Sequence, residues 1–149
     1  GSGNSTVINS SEGVLYAEIS ALSNSVPTQR MSLSDGTSSN RIYIQNNSTT
    51  NQIYVSVVSG GVSSVDVLNT SYNTTQFNKI AVKYKANDFA LWINGVKVAI
   101  DISAVMPIGL NELAFDAGDG GLHFYCKTKS VQVYTTALSD AELTTLTTI

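Results

Sequence analysis

Cysteine occurs once in the 149 residues, at Cys126, so no disulfide can form within the chain. A lone cysteine is more often a small buried hydrophobe than a nucleophile. Histidine is also single (His123), and no transition-metal ligand spacing or nucleophile-elbow motif accompanies it. Charged residues make up only 13% of the chain, against about 25% in an average domain. The net charge of −3 and the absence of a basic stripe exclude a binder of phosphate backbones, so no nucleic-acid partner is expected. No run approaches the ~20 apolar residues of a membrane span, so no membrane insertion is expected. Prolines number two, too few to break up a strand-rich pattern.

Ser, Thr and Asn stand where charges are missing, a surface common in extracellular and virion β-proteins. The apolar 42% is arranged with a period of two, as in strands with one buried face. The pattern is strongest over Phe77–Asp101. Ile80, Val82 and Tyr84 alternate with Ala81, Lys83 and Lys85, and after a turn at Ala86-Asn87-Asp88 the residues Phe89, Leu91 and Ile93 alternate with Ala90, Trp92 and Asn94. Asn94-Gly95 predicts a type I′ hairpin, because both residues tolerate positive φ, and Val96, Val98 and Ile100 return.

Earlier strands are predicted at Val14–Ser20, Gln29–Ser34, Arg41–Gln45, Gln52–Ser59 and Val62–Leu68, with a loop at Asn24–Thr28 and a turn at Asn46–Asn51. Later ones are predicted at Asn111–Phe115 and, as one long strand, His123–Tyr134. Residues 1–12 read as a loose segment or linker, and 13–149 as one domain. Ser139-Asp140-Ala141-Glu142 is a capping box flanked by Leu138 and Leu143 as a hydrophobic staple, which predicts one short C-terminal helix at Asp140–Leu146. About eleven short strands with regular turns imply an all-β, two-sheet antiparallel β-sandwich with that single helix.

Two stretches carry a family resemblance. Phe77–Ala99 resembles the central meander of laminin-G-like, concanavalin A-like jelly-roll domains. Phe124–Leu143 is similar to that family's ending, most specifically where Val131-Gln132-Val133-Tyr134 runs into Ala137-Leu138-Ser139-Asp140-Ala141-Glu142. Lys129 and Cys126 depart from the family's usual Asp and Gly. The low charge and the Ser-Asp-Gly and Asn-Gly turns resemble the versions at the ends of bacteriophage tail and fibre proteins. The resemblance implies a jelly roll that binds a glycan, a host-surface polysaccharide or receptor, in a virion or outside the cell, with copies brought together through a larger fibre. A structural module of a virion, packing against protein and binding no sugar, is the alternative. A glycoside hydrolase is disfavoured. Glucan-cutting members of the fold would require a Glu-x-Asp-x-Glu strand, and none occurs. Glu12 and Glu18 share one parity of a strand but stand roughly 20 Å apart, too far for a carboxylate pair that works across a glycosidic bond, which spans ~5–9.5 Å.

The candidate ligand-binding residues are Trp92, Tyr16, Tyr43, Tyr54 and Arg41. Each aromatic falls on the parity opposite the core residues of its strand, and rings there can stack on a pyranose while polar neighbours fix its hydroxyls. The same rings can instead pack under another element or in a subunit interface. Asp116 and Asp119, in the Asp116–Gly121 loop, are the candidate metal ligands, with calcium as the ion that such hard oxygen ligands suit. The competing reading is that these aspartates support turns. It carries more weight, because two carboxylates fall short of the six to eight oxygens calcium takes.

Overall fold

The computed structural model describes residues 1–22, 28–47 and 51–149. Ten strands and one helix are found among them: β1 (Glu12–Ser20), β2 (Gln29–Ser34), β3 (Arg41–Asn47), β4 (Gln52–Ser59), β5 (Val62–Asn69), β6 (Asn78–Lys85), β7 (Phe89–Ile93), β8 (Val96–Asp101), β9 (Glu112–Ala114), β10 (Lys127–Tyr134) and α1 (Asp140–Thr147). They form two five-stranded antiparallel sheets, in the orders β10-β1-β6-β7-β8 and β5-β4-β3-β2-β9. The predicted β-sandwich with a single C-terminal helix is what the chain adopts.

The core lies between the sheets. Leu15, Ala17 and Ile19 of β1, Ile80, Val82 and Tyr84 of β6, and Phe89, Leu91 and Ile93 of β7 meet Met31, Leu33, Ile42, Ile44, Val55 and Val57 of the second sheet. These are the inward parities read from the sequence. Each such side chain removes apolar area from water worth about 25 cal/mol per Å². Asn94 and Gly95 have φ of 50° and 82°, as a type I′ turn requires. They set β7 against β8.

Three boundaries differ from expectation. The long final strand begins at Lys127, not His123. Phe124 N–H instead donates to the Phe115 carbonyl, which closes the loop that follows β9. Asn111 and Phe115 flank a strand of only three residues. Residues 1–12 are not loose: Ser2 bridges to Leu113 and Ile8 is buried in the core, because the β9 edge offers unpaired backbone groups and the core an apolar slot. The expected Asn24–Thr28 loop and Asn46–Asn51 turn lie partly outside the described residues.

The outer faces of the two sheets differ in kind. Outside the β10-β1-β6-β7-β8 sheet, Val14, Tyr16, Ala81, Ala90 and Trp92 form a second apolar cluster sealed by Leu143 of α1, with Leu138 and Leu146 packed against it. The helix starts as predicted. Ser139 Oγ accepts from the Glu142 amide (3.4 Å) and the Glu142 carboxylate accepts from the Ser139 amide (2.8 Å). Its far end is strapped down by Thr147 Oγ1, which accepts from the Gly95 amide (3.1 Å), and by the Thr148 carbonyl, which accepts from Lys79 Nζ (2.8 Å). Among the described residues, the outer face of the β5-β4-β3-β2-β9 sheet carries no helix.

Candidate binding groove

Strand alternation puts polar residues on that uncovered face. On β2 the outward set is Arg30, Ser32 and Ser34, on β3 Arg41, Tyr43 and Gln45, on β4 Tyr54 and Ser56, and on β5 Asp66. Register aligns them in rows. Ser32, Tyr43, Ser56 and Asp66 are successive cross-strand partners, as are Arg30, Gln45 and Tyr54. A groove of about 470 Å³ runs over this face, lined by Arg41, Tyr43, Tyr54, Ser56, Ser63 and Asp66, with Ser38, Ser39 and Gly61 at its rim. That volume lies within the ~300–1,000 Å³ of small-ligand sites.

The groove is internally bonded. The Tyr43 and Tyr54 rings stand 5.8 Å apart, tilted by 46°. Tyr54 Oη donates to the Asp66 carboxylate, which also accepts from Ser63 Oγ at 2.6 Å. Burial, and then the hydrogen bond to Asp66, push the Tyr54 hydroxyl well above its ordinary range, so it remains a protonated donor. Burial alone would raise Asp66, but hydrogen bonds from Ser63, Tyr54 and Ser56 outweigh it and hold the carboxyl below its usual value. The guanidinium groups of Arg30 and Arg41 lie 4.3 and 5.0 Å from the centre of the Tyr43 ring. Arg30 Nε donates to Gln45 Oε1 (3.0 Å) and Arg41 Nη1 to the Ala117 carbonyl (2.5 Å).

The Asp116–Gly121 loop packs beside the groove, where the Ala117 carbonyl accepts from Arg41. Asp116 Oδ1 accepts from the Gly118 amide (2.6 Å) and Asp119 Oδ1 from the Gly121 amide (3.0 Å). Each carboxylate thus closes its own turn. Among the described residues, no three His, Cys, Asp or Glu side chains converge as a metal site would need. Gly118 has φ of 89° and packs so closely that a Cβ there would stand 2.8 Å from Ser34 Cβ. The loop can lie on the sheet because this position has no side chain.

Of the five residues singled out as ligand-binding, the groove unites Arg41, Tyr43 and Tyr54. It does not include Trp92 and Tyr16, which are 6% and 3% exposed and lie under α1 on the other sheet. Their outward parity was read correctly, but the helix covers that face. The Lys97 ammonium caps the Trp92 ring at 5.5 Å and reaches Asp140 of the helix at 2.5 Å. Arg30, Ser63 and Asp66 were missed as site residues. The signal for Arg30 was present in Gln29–Ser34, where Arg, Ser and Ser alternate with apolar residues. Glu12 and Glu18 are ion-paired with Lys85 (3.6 Å) and Lys129 (3.2 Å). Burial pushes the Cys126 thiol up to about 12, far from a thiolate nucleophile.

Residues 19–144 match the family model of the concanavalin A-like lectin/glucanases superfamily. The chain belongs to that superfamily. A comparison with curated proteins finds no significant match. Among solved structures, this superfamily member is similar to the carbohydrate-binding module (CBM40) of the Ruminococcus gnavus IT-sialidase bound to α2,3 sialyllactose, at 18% identity and a TM-score of 0.76 over 100% of this chain and 93% of that one. It is also similar to the leech intramolecular trans-sialidase (19% identity, TM-score 0.71), where it covers 93% of this chain but 23% of that enzyme. Sheep galectin-11 is similar at 12% identity and a TM-score of 0.53, over 82% of this chain and 89% of that one. At such identities the likeness is one of fold.

Proposed function

We propose that the domain is a non-catalytic glycan-binding module and that its site is the groove over β3–β5. The observation that carries this reading is the half-buried Tyr54 ring, backed by the buried Tyr43 ring 5.8 Å away and set among arginine, serine and aspartate side chains on the sheet face that carries no helix among the described residues. The Tyr54 ring supplies an apolar platform, and the surrounding donors and acceptors suit sugar hydroxyls. The fold's occurrence in a carbohydrate-binding module and in a galectin supports the reading. Binding is favoured over hydrolysis because Glu12 and Glu18 stand on β1 in the other sheet, away from the groove.

The test is a glycan array probed with the domain presented multivalently, since repeated copies raise weak affinities. Tyr54→Ala should abolish any signal while the fold, checked by circular dichroism, persists. Signal unchanged in Tyr54→Ala would remove the groove from consideration.

A virion or extracellular parent protein is part of the same proposal, resting on the low charge and Ser/Thr/Asn-rich surface. The second reading, an assembly module, draws on the exposed Ile100 and Ile102 at the β8 edge. Concentration-dependent sedimentation that Ile100→Lys abolishes would favour it.

A further inference from the structure

We infer that the groove takes an acidic glycan and that Arg41, with Arg30 beside it, receives a sugar carboxylate. This rests on the glycan-binding reading above. The chain has two arginines, and both stack on the same ring, Tyr43, on the same sheet face. Neither forms an ion pair among the described residues, whereas Lys83, Lys85, Lys97 and Lys129 all do.

The carboxylates around the groove are already engaged elsewhere. Asp66 is held by Tyr54 and Ser63. Asp35 is held by Thr37 (2.6 Å) and Asn40 (2.9 Å). Glu112 accepts from Ser34 Oγ. Two guanidinium groups therefore converge on one ring, and no carboxylate of the described residues forms an ion pair with either. A chain of net charge −3 has carboxylates to spare, so the missing partner is a feature of this face and not of composition.

The donors point the same way. A guanidinium carries five N–H donors. Arg41 gives Nη1 to the Ala117 carbonyl, and its Nε is buried and unpartnered among the described residues, which leaves the remaining Nη hydrogens to meet a ligand. A planar carboxylate accepts two parallel bonds from a guanidinium fork. Tyr43, held between guanidinium groups, keeps them from folding away from the face. A neutral sugar would leave both charges uncompensated. The matching ligand group is a carboxylate on the sugar ring, of either a nonulosonic acid or a uronic acid.

The experiment titrates the ¹⁵N-labelled domain with 3′-sialyllactose against lactose, and with trigalacturonate against its methyl ester, following groove amides. At least one acidic saccharide should bind tenfold or more tightly than its neutral counterpart, and whichever does so identifies the source of the carboxylate. Arg41→Gln should reduce that affinity to the neutral level. Arg41→Lys should recover only part, since it restores charge without the fork. If Arg41→Gln fails to fold for want of its Ala117 contact, Arg30→Gln replaces it, with a severalfold loss expected for the acidic ligand alone.

Equal binding of acidic and neutral partners in the groove would overturn the inference and leave the glycan reading standing. Groove amides unmoved by both acidic saccharides would also overturn it, while the neutral glycans of the array decide the broader reading on their own.

Discussion

Tyr54 and Asp66 are hydrogen-bonded across the groove, and they move each other's proton equilibria in opposite directions. The tyrosine is raised and the aspartate lowered, each with the other's hydrogen bond among the causes. Folded Asp66 therefore holds its proton less tightly than the unfolded chain does. The pair stabilises the fold above the usual carboxylate pKa of ~3.9, and that contribution drains away as pH falls through the depressed value. Tyr54→Phe removes one of the hydroxyl donors. The Asp66 carboxyl carbon, followed by NMR against pH, should then titrate at a higher pH than in the wild type, and acid unfolding should begin earlier. An unchanged titration would mean that Ser63 and Ser56 hold the carboxylate without Tyr54. Tyr54 was legible as a candidate because its parity opposed Ile53 and Val55. Its partner Asp66 was not, since only strand pairing brings β5 beside β4.

At the level of elements, α1 decides which sheet face is open. Its capping box and leucines were visible in the sequence, but its docking place was not. A trace of that place did exist. Val14, Tyr16, Ala81, Ala90 and Trp92 are apolar on the outward parity of three strands, and such a face must be covered by something. The cluster's dependence on the helix gives a prediction. Ser139→Ala should cost ~1 kcal/mol through the lost cap. Leu143→Ala should cost ~2–5 kcal/mol through the cavity left against Trp92. Both are measurable by urea unfolding. Only Leu143→Ala should shift the Trp92 emission to longer wavelength, because it admits water to the indole. Equal emission changes in both variants would mean that the cap, and not the leucine, seats the helix. The surface ion pair Lys97–Asp140 is expected to add little to either.

For the whole molecule, the two outer faces divide the labour. One is apolar and closed by α1, the other is polar and carries no helix among the described residues, and the core lies between them. The only tryptophan sits on the closed side, which makes it a control. A glycan that saturates the groove should leave Trp92 emission unchanged while it perturbs the Tyr43 and Tyr54 resonances. A ligand-dependent change in tryptophan emission would place binding beside the helix instead, where an apolar cleft of about 450 Å³ is lined by Tyr134, Leu138 and Leu146. By itself the sequence determined the sandwich, the strand parities, the hairpin at Asn94-Gly95 and the capped helix, because period-two burial, positive-φ turns and capping are local properties of neighbouring residues. Tertiary structure alone decided that Trp92 and Tyr16 are sealed under α1 and that Arg30, Arg41, Tyr43, Tyr54 and Asp66 share one surface. Parity tells that a side chain leaves the core, but what awaits it outside depends on strand order and on where the last helix docks, and both are set by contacts between residues far apart in the chain.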